Sequence, residues 1–188
     1  MIKHFGVVDN KKGEPLYYAE LCNNIPKFPG KNISLEKINT FFIEEIDKID
    51  NIIINKNKKF KNIDVVFCST PNIFIVSRKF KSLFSSEIKG KFFYTNEEDY
   101  FLMIVDNIID NIIDGIDHIK TNVIYTDPNY KYKCSINSDI FFNTNIVEKE
   151  LIFSLIEYPN VYLCSERFQK MCFDNDITGV FFDELWIS

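Results

Sequence analysis

The chain has 188 residues, of which 46% are hydrophobic, and it carries a formal net charge of −5. This composition is typical of a globular protein and excludes a disordered chain. Residues 1–61 contain 11 Lys or Arg against 8 Asp or Glu, whereas residues 62–188 contain 11 against 19. Nucleic acid is therefore not expected as a partner of the larger part, because phosphate contacts need clustered cations.

No apolar run is long enough to span a membrane, and the first residues lack the apolar region of a signal peptide. These features predict a cytoplasmic protein without a membrane partner. The five cysteines have no paired spacing, and most of them lie in apolar runs. That distribution is typical of reduced cysteines that pack in a core.

The first 62 residues predict short strands and one helix, and we interpret them as a small separate lobe. The predicted strands cover residues 4–8, 16–21 and 52–54. The predicted helix covers residues 35–47, where apolar side chains recur along one stripe.

Two stretches, residues 71–93 and residues 159–182, repeat one pattern. In both, a Pro-Asn turn precedes an apolar run rich in β-branched and aromatic residues, which predicts a buried strand. Ser77 or Ser165 then stands where a helix would begin, and apolar residues follow at helical spacing. A glycine and a second aromatic strand end each stretch.

The pattern predicts two strand–helix–strand units with an architectural role. Neither serine lies in a Gly-x-Ser-x-Gly motif, so a helix N-cap is favoured over a nucleophile at Ser77 and Ser165. Phe80 and Phe168, the first apolar residues of the two helices, are predicted to be buried.

Before the first repeated stretch and between the two stretches, the sequence predicts further strands and one helix. The strands cover residues 65–68, 123–126, 130–135 and 140–142, with the second and third forming a hairpin, and the helix covers residues 148–156. Residues 100–105 are fully apolar, and the apolar spacing continues to residue 112. Periodicity alone predicts a helix there, but a short apolar run fits a buried strand equally well.

Seven acids lie between residues 97 and 117 with no Lys or Arg among them. They are Glu97, Glu98, Asp99, Asp106, Asp110, Asp114 and Asp117. If residues 106–117 are helical, Asp106, Asp110 and Asp114 share one face with Asp117 beside them, and each pair repels by roughly a few tenths of a kcal/mol. The run is either an ordinary solvated face or a docking surface for a basic partner. A catalytic carboxylate pair ranks third, because no polar partner set lies nearby.

Motifs for cofactor and metal binding are absent from the sequence. It contains no Gly-x-Gly-x-x-Gly, no Gly-x-x-x-x-Gly-Lys, no Cys-x-x-Cys and no His pair at metal spacing. A protein without a cofactor, a metal or an enzymatic activity is therefore expected. The enzymatic alternative is a small hydrolase in which Cys134, Cys164 or Cys172 is the nucleophile and His118 is its base.

Several segments together resemble the immunity proteins of bacterial polymorphic toxin systems, especially immunity family eleven and its relative, immunity family forty-three. The segments are Ile75-Val76-Ser77-Arg78-Lys79-Phe80, Tyr100-Phe101-Leu102-Met103-Ile104-Val105 with Ile108-Ile109-Asp110, Leu163-Cys164-Ser165-Glu166-Arg167-Phe168 and Thr178-Gly179-Val180-Phe181-Phe182. The last two are the most specific, with Cys164 in place of the usual valine. The resemblance covers about residues 65–185.

The resemblance implies an α+β fold with a mixed or antiparallel sheet and packed helices, in which residues 63–188 form an immunity-like domain. It also favours a strand over a helix at residues 100–105. It implies a protein without catalytic activity that binds and neutralises a cognate toxin domain stoichiometrically. The resemblance also implies that many such toxins carry basic clefts, and the charge pattern then predicts the seven acids as the partner-binding surface. Alternatives are the cysteine hydrolase and an adaptor module without a toxin partner.

Overall fold

The structure of the protein is a computed structural model that describes residues 2–7, 18–21, 52–56, 62–68, 73–109, 115–117, 119–125, 134–136, 140–155 and 158–183. Its elements, in chain order, are β1 (Ile2–Val7), β2 (Tyr18–Leu21), β3 (Ile54–Lys56), β4 (Val65–Cys68), β5 (Ile73–Ser77), α1 (Arg78–Phe84), β6 (Gly90–Tyr94), β7 (Tyr100–Val105), β8 (Ile108–Ile109), β9 (Val123–Tyr125), β10 (Cys134–Ile136), α2 (Thr144–Val147), β11 (Ile152–Leu155), β12 (Tyr158–Ser165), α3 (Glu166–Asp174) and β13 (Val180–Asp183). The fold is α+β, as predicted. The predicted helix at residues 35–47 lies outside the described residues.

The chain divides into two compact units. The N-terminal unit consists of Val7–Asp106 and Asp176–Phe181, and the C-terminal unit consists of Met1–Gly6, Asn107–Asn175 and Phe182–Ser188. The predicted lobe of residues 1–62 coincides with neither unit, because β2 and β3 share a sheet with β4 and the strands after it.

The N-terminal unit is built on a six-stranded sheet in the order β3-β2-β4-β5-β7-β6. β5 pairs antiparallel with β4 and β7, β6 pairs antiparallel with β7, and β2 pairs in parallel with β4. All six residues of β7 are buried, and a strand covered on both faces has the continuous apolar sequence found there. The strand favoured for residues 100–105 is therefore confirmed.

The C-terminal unit is built on a five-stranded sheet in the order β13-β1-β12-β11-β8. β12 pairs antiparallel with β1 and β11, and β8 pairs in parallel with β11. The antiparallel pairing predicted for the hairpin is confirmed between β9 and β10, and residues 126–133 lie outside the described residues. Phe5 and Phe168 pack edge to face, with their ring centroids 5.4 Å apart, and Phe182 joins them at 6.2 Å from Phe5.

The helix predicted at residues 148–156 is wrong. Thr144–Val147 forms a short helix before this segment, and Ile152–Leu155 forms strand β11, in which every residue is buried. The three apolar residues at positions 151, 152 and 155 fit a helical stripe, but they fit a fully buried strand as well.

Both repeated stretches have the predicted order of strand, helix and strand. The hydroxyl of Ser77 accepts a hydrogen bond from the amide of Phe80 at 3.1 Å, and that of Ser165 accepts one from the amide of Phe168 at 3.4 Å. Both phenylalanines are fully buried. The N-cap and core predictions for these residues are thus confirmed.

The glycines that end the two helical segments are required for different reasons. Gly179 has a φ of +85°, which glycine adopts without strain, and an added Cβ would lie 2.1 Å from the carbonyl oxygen of Val65. Gly90 lies at the start of β6, where an added Cβ would lie 2.4 Å from the carbonyl oxygen of Ile104. Close backbone approach therefore excludes larger residues at Gly90.

No helix in the described part of the chain is long and apolar enough to cross a membrane.

Candidate functional site

The predicted acidic surface is divided between distant places. Glu97, Glu98 and Asp99 lie in the turn between β6 and β7, whereas Asp106 follows the last residue of β7. The six residues of β7 separate Asp99 from Asp106 and span about 20 Å. The structure therefore brings the first three acids together but places Asp106 at the other end of the strand.

The helical face expected for Asp106, Asp110 and Asp114 is wrong for the residues that the structure describes. The two residues after β7 have no regular structure, and the next two form β8, which pairs in parallel with β11. The apolar spacing that predicted a helix belongs instead to two strands. Asp110 and Asp114 lie outside the described residues, and Asp117 belongs to the C-terminal unit.

The acids of the β6–β7 turn have a cation that the sequence did not place beside them. The Nη2 of Arg78, the first residue of α1, donates a 3.0 Å hydrogen bond to the carbonyl oxygen of Glu98. The guanidinium also lies 3.6 Å from the Glu98 carboxylate and 3.4 Å from that of Asp99. These exposed ion pairs contribute about 0–1 kcal/mol each. Pairing of β5 with β7 brings Arg78 to the turn.

Asp106 and Asp117 have unrelated surroundings. Partial burial raises the pKa of Asp106, and the positive charge of Lys91 opposes that shift. Desolvation also acts against ionisation of Asp117, but hydrogen bonds from the Lys120 side chain and from the amides of Ile119 and Lys120 hold its pKa below the usual value. Asp117 is therefore paired within its own loop.

A groove with a volume of about 640 Å³ runs beside α1 in the N-terminal unit. It is lined by one side of α1, by the end of β6 and the residues after it, and by Phe101 of β7. The groove contains Arg78, Lys81 and Ser82 of α1 and Ser85, the residue that follows the helix. Their spacing of three and four residues places them on one side of the helix.

Lys81 and Tyr94 give this groove its chemistry. The Nζ of Lys81 lies 3.9 Å from the ring centroid of Phe101 and 4.9 Å from that of Tyr94. The two ring centroids are 5.4 Å apart; Phe101 is buried, whereas Tyr94 is 77% exposed. No carboxylate among the described residues forms an ion pair with Lys81. The groove thus holds a cation against aromatic rings, a contact that contributes about 0.5–1 kcal/mol at exposed sites.

Sequence reasoning did not identify this groove, because it used α1 only for its apolar face. The available signal was the cluster of Arg78, Lys79 and Lys81 in a part of the chain that is otherwise rich in acids.

A second polar site surrounds Asp64, which is only 7% exposed. Its Oδ1 accepts a 2.6 Å hydrogen bond from the hydroxyl of Ser77. Its Oδ2 accepts hydrogen bonds from the amide and the hydroxyl of Thr178, both at 3.0 Å, and lies 3.9 Å from Nζ of Lys79. Both oxygens are satisfied, so this carboxylate can be buried without a large penalty.

The contacts around Asp64 hold the backbone together. The amide of Asp64 donates to the hydroxyl of Thr178, and the amide of Val65 donates to the Thr178 carbonyl oxygen, both at 3.1 Å. The Nζ of Lys79 donates a 2.9 Å hydrogen bond to the carbonyl oxygen of Asp176. These bonds fix Asp176–Phe181 against the start of β4. The site therefore orders the backbone, and its Ser77 hydroxyl is occupied by Asp64 and by capping.

The Cys164 thiol of the hydrolase alternative is not activated. Cys164 and Cys172 are fully buried, and desolvation, aided by the neighbouring Cys172, raises the pKa of the Cys164 thiol far above its ordinary value. The nucleophilic form of cysteine is the thiolate, and Cys164 stays protonated near neutral pH. Cys134 lies in β10, and His118 lies outside the described residues.

Within the described ranges, no group of three or more His, Cys, Asp or Glu residues is placed to hold a metal ion. Comparison of the sequence with protein-family models and with curated proteins found no match.

Proposed function

We propose that this protein binds a toxin domain in a one-to-one complex in the cytoplasm and neutralises it without catalysis. The resemblance of residues 65–185 to immunity proteins motivates this proposal. The observation that carries it is Tyr94, which is 77% exposed in a groove that also contains Arg78 and Lys81. Tyrosine and arginine are enriched among the residues that dominate protein–protein binding.

The position of the Tyr94 ring suits this role. A tyrosine supplies a large contact surface while fixing only two side-chain torsions. Phe101 and Lys81 already contact the ring in the unbound protein. A side chain that is positioned before binding loses less entropy in the complex, so more of its contact energy contributes to affinity.

We propose that the acids contribute to the rate of association. Glu98 lines the groove, with Glu97 and Asp99 beside it in the β6–β7 turn. Asp106, Asp110, Asp114 and Asp117 are the other members of the proposed surface. Together with the net charge of −5, they favour the approach of a basic toxin surface. Such an effect falls as salt concentration rises.

The test is to purify the protein together with the toxin domain encoded by the neighbouring gene and to measure the mass of the complex by light scattering. We expect a one-to-one complex and restored growth of cells that produce the toxin. The Tyr94→Ala variant should bind about 10-fold or more weakly, as expected for a contact residue of this kind. Ile119→Ala is the matched control, because Ile119 is 98% exposed in the C-terminal unit. An unmodified protein that neither binds this toxin domain nor protects cells from it would refute the proposal.

A further inference from the structure

Lys81 is a cation without a matching anion in the described part of the structure. Its ammonium group contacts the rings of Phe101 and Tyr94, and none of the ion pairs between described residues includes it. An ammonium group has three donor hydrogens, and the ring faces cannot use them all. Lys81 can therefore bind a further acceptor without leaving the rings.

The other charges of the groove limit what that acceptor can be. Arg78 is already engaged by Glu98 and Asp99, so Lys81 is the cation available to a ligand. The same two carboxylates repel a chain of phosphates that would follow the groove past them. A ligand that has a single carboxylate next to an apolar group can pair with the Lys81 ammonium and pack on the Tyr94 ring at the same time.

The corresponding side of α3 shows that this arrangement is not imposed by the helix. When Ser77 is aligned with Ser165 in the sequence, the positions of Arg78, Lys81, Ser82 and Ser85 correspond, in that order, to those of Glu166, Gln169, Lys170 and Phe173. These α3 residues also line a groove, in the C-terminal unit. There Lys170 pairs with Asp174 at 2.6 Å. Of these two grooves, only the one beside α1 therefore contains a lysine that forms no ion pair with a carboxylate of the described residues.

From these contacts we infer that the groove beside α1 binds a segment of a partner protein in which a single Asp or Glu side chain pairs with Lys81 and an adjacent apolar side chain packs on Tyr94. This inference rests on the proposed function and adds the chemistry of the toxin segment that the protein recognises. The loss of a hydrogen-bonded charge pair at such a contact weakens binding by roughly 10- to 100-fold.

The experiment measures the dissociation constant of the neighbouring toxin domain for the unmodified protein and for Lys81→Gln, Lys81→Arg and Lys170→Gln. We expect Lys81→Gln to bind about 10- to 100-fold more weakly and Lys81→Arg to keep most of the affinity, because the positive charge remains. Lys170→Gln is the control on the equivalent helix and should change the affinity less than about twofold. The melting temperature of each variant confirms that it is folded.

A charge exchange then identifies the acidic partner residue. Each exposed Asp and Glu of the toxin domain is changed to Lys and tested against Lys81→Glu, and we expect one such pair to recover most of the lost affinity. If the unmodified protein binds the toxin domain and Lys81→Gln binds equally well, this inference is wrong while the proposed function stands. If the unmodified protein does not bind at all, the proposed function fails and this inference fails with it. Binding of a single-stranded RNA oligonucleotide that Lys81→Gln abolishes would instead assign the groove to phosphate.

Discussion

The two units arrange their strands in the same order but take one strand from different places in the chain. Next to β3, the N-terminal sheet has the strand order β2-β4-β5-β7-β6. These five positions correspond one by one to the order β8-β11-β12-β1-β13 in the C-terminal sheet. The first junction is parallel and the next two are antiparallel in both sheets. The N-terminal unit fills its fourth position with β7, directly after β6 in the chain, whereas the C-terminal unit uses β1 from the start of the chain. The same position in the sheet can therefore be filled by either a local or a distant segment.

The helices α1 and α3 of the two units are alike on their buried sides and different on their exposed sides. Their buried sides match, because Ser77 and Ser165 cap the helices and Phe80 and Phe168 fill the cores. Their exposed sides differ, since Lys81 faces aromatic rings whereas Lys170 pairs within its own helix. The cap and the apolar face thus determine the architecture, and the polar face is free to acquire a binding role.

Removing β1 tests the strand comparison most severely. Deletion of residues 2–6 takes away Ile2 and Phe5, which are both buried, and leaves β12 without one neighbour. Loss of two such side chains costs about 5–10 kcal/mol, which is comparable to the whole stability of a domain. Hydrogen exchange followed by mass spectrometry should show loss of protection in β11, β12 and α3, while β5 and β7 keep theirs.

A synthetic peptide with the sequence of residues 1–7 provides the control for this deletion. If β1 fills a specific position, the peptide should restore protection of β12. Native protection of β12 in the deleted protein without peptide would show that the sheet does not need this strand.

The Phe80→Ala and Phe168→Ala variants compare the two helices at equivalent positions. Both side chains are fully buried, so each substitution should lower the free energy of unfolding by about 3–5 kcal/mol. Each ring also packs on a second aromatic ring, Phe80 on Phe84 with centroids 4.6 Å apart and Phe168 on Phe5, which places both values toward the upper end. Denaturant unfolding measures both values, with Phe173→Ala, an exposed residue of α3, as the control. An unchanged midpoint for either variant would contradict the core assignment.

The local elements of the repeated stretches could be predicted from the sequence, because turn, apolar run and capping serine lie within a few residues of each other. The long-range contacts that surround these elements could not be predicted from the sequence. The position of β1 next to β12 depends on pairing across almost the whole chain, and no local pattern encodes it. The buried Asp64 had no visible partner either, since Thr178 lies 114 residues away. Arg78 was separated from Glu98 by 20 residues and joins it only when β5 pairs with β7.

The Ser77→Ala and Ser165→Ala variants distinguish a cap with an additional role from a simple cap. Loss of the Ser165 cap should cost about 0.5–1 kcal/mol, because its bond to Phe168 is long at 3.4 Å. Loss of Ser77 should cost about 1–3 kcal/mol, because the Ser77 hydroxyl also donates a 2.6 Å hydrogen bond to the buried carboxylate of Asp64. Denaturant unfolding measures the difference, and Ser82→Ala, on the exposed side of α1, is the control. Equal costs for the two variants would show that the bond to Asp64 adds no stability.

Alkaline pH should affect the two units through different tyrosines, and this is the smallest effect expected. Burial raises the pKa of Tyr100, helped by the negative charges of Asp64 and Asp99 and opposed by hydrogen bonds with the backbone of Ile63 and Asn62. Burial alone raises the pKa of Tyr162. An unfolded tyrosine loses its proton near pH 10, before either folded one does. Over that range the unfolded state binds fewer protons, so stability is full below about pH 10 and falls as pH rises further.

Tyr100→Phe removes one of these two contributions. Its free energy of unfolding should therefore decline less steeply than that of the unmodified protein as pH rises above about 10, even if it is lower at pH 8. Tyr162→Phe should reduce the slope in the same way. Urea unfolding at half-unit steps from pH 8 to 11.5 measures these slopes, and the tyrosinate absorbance at 295 nm follows the ionisation itself. If the slope of Tyr100→Phe equals that of the unmodified protein, Tyr100 ionises equally readily in the folded and unfolded states, and its burial in the N-terminal unit does not raise its pKa.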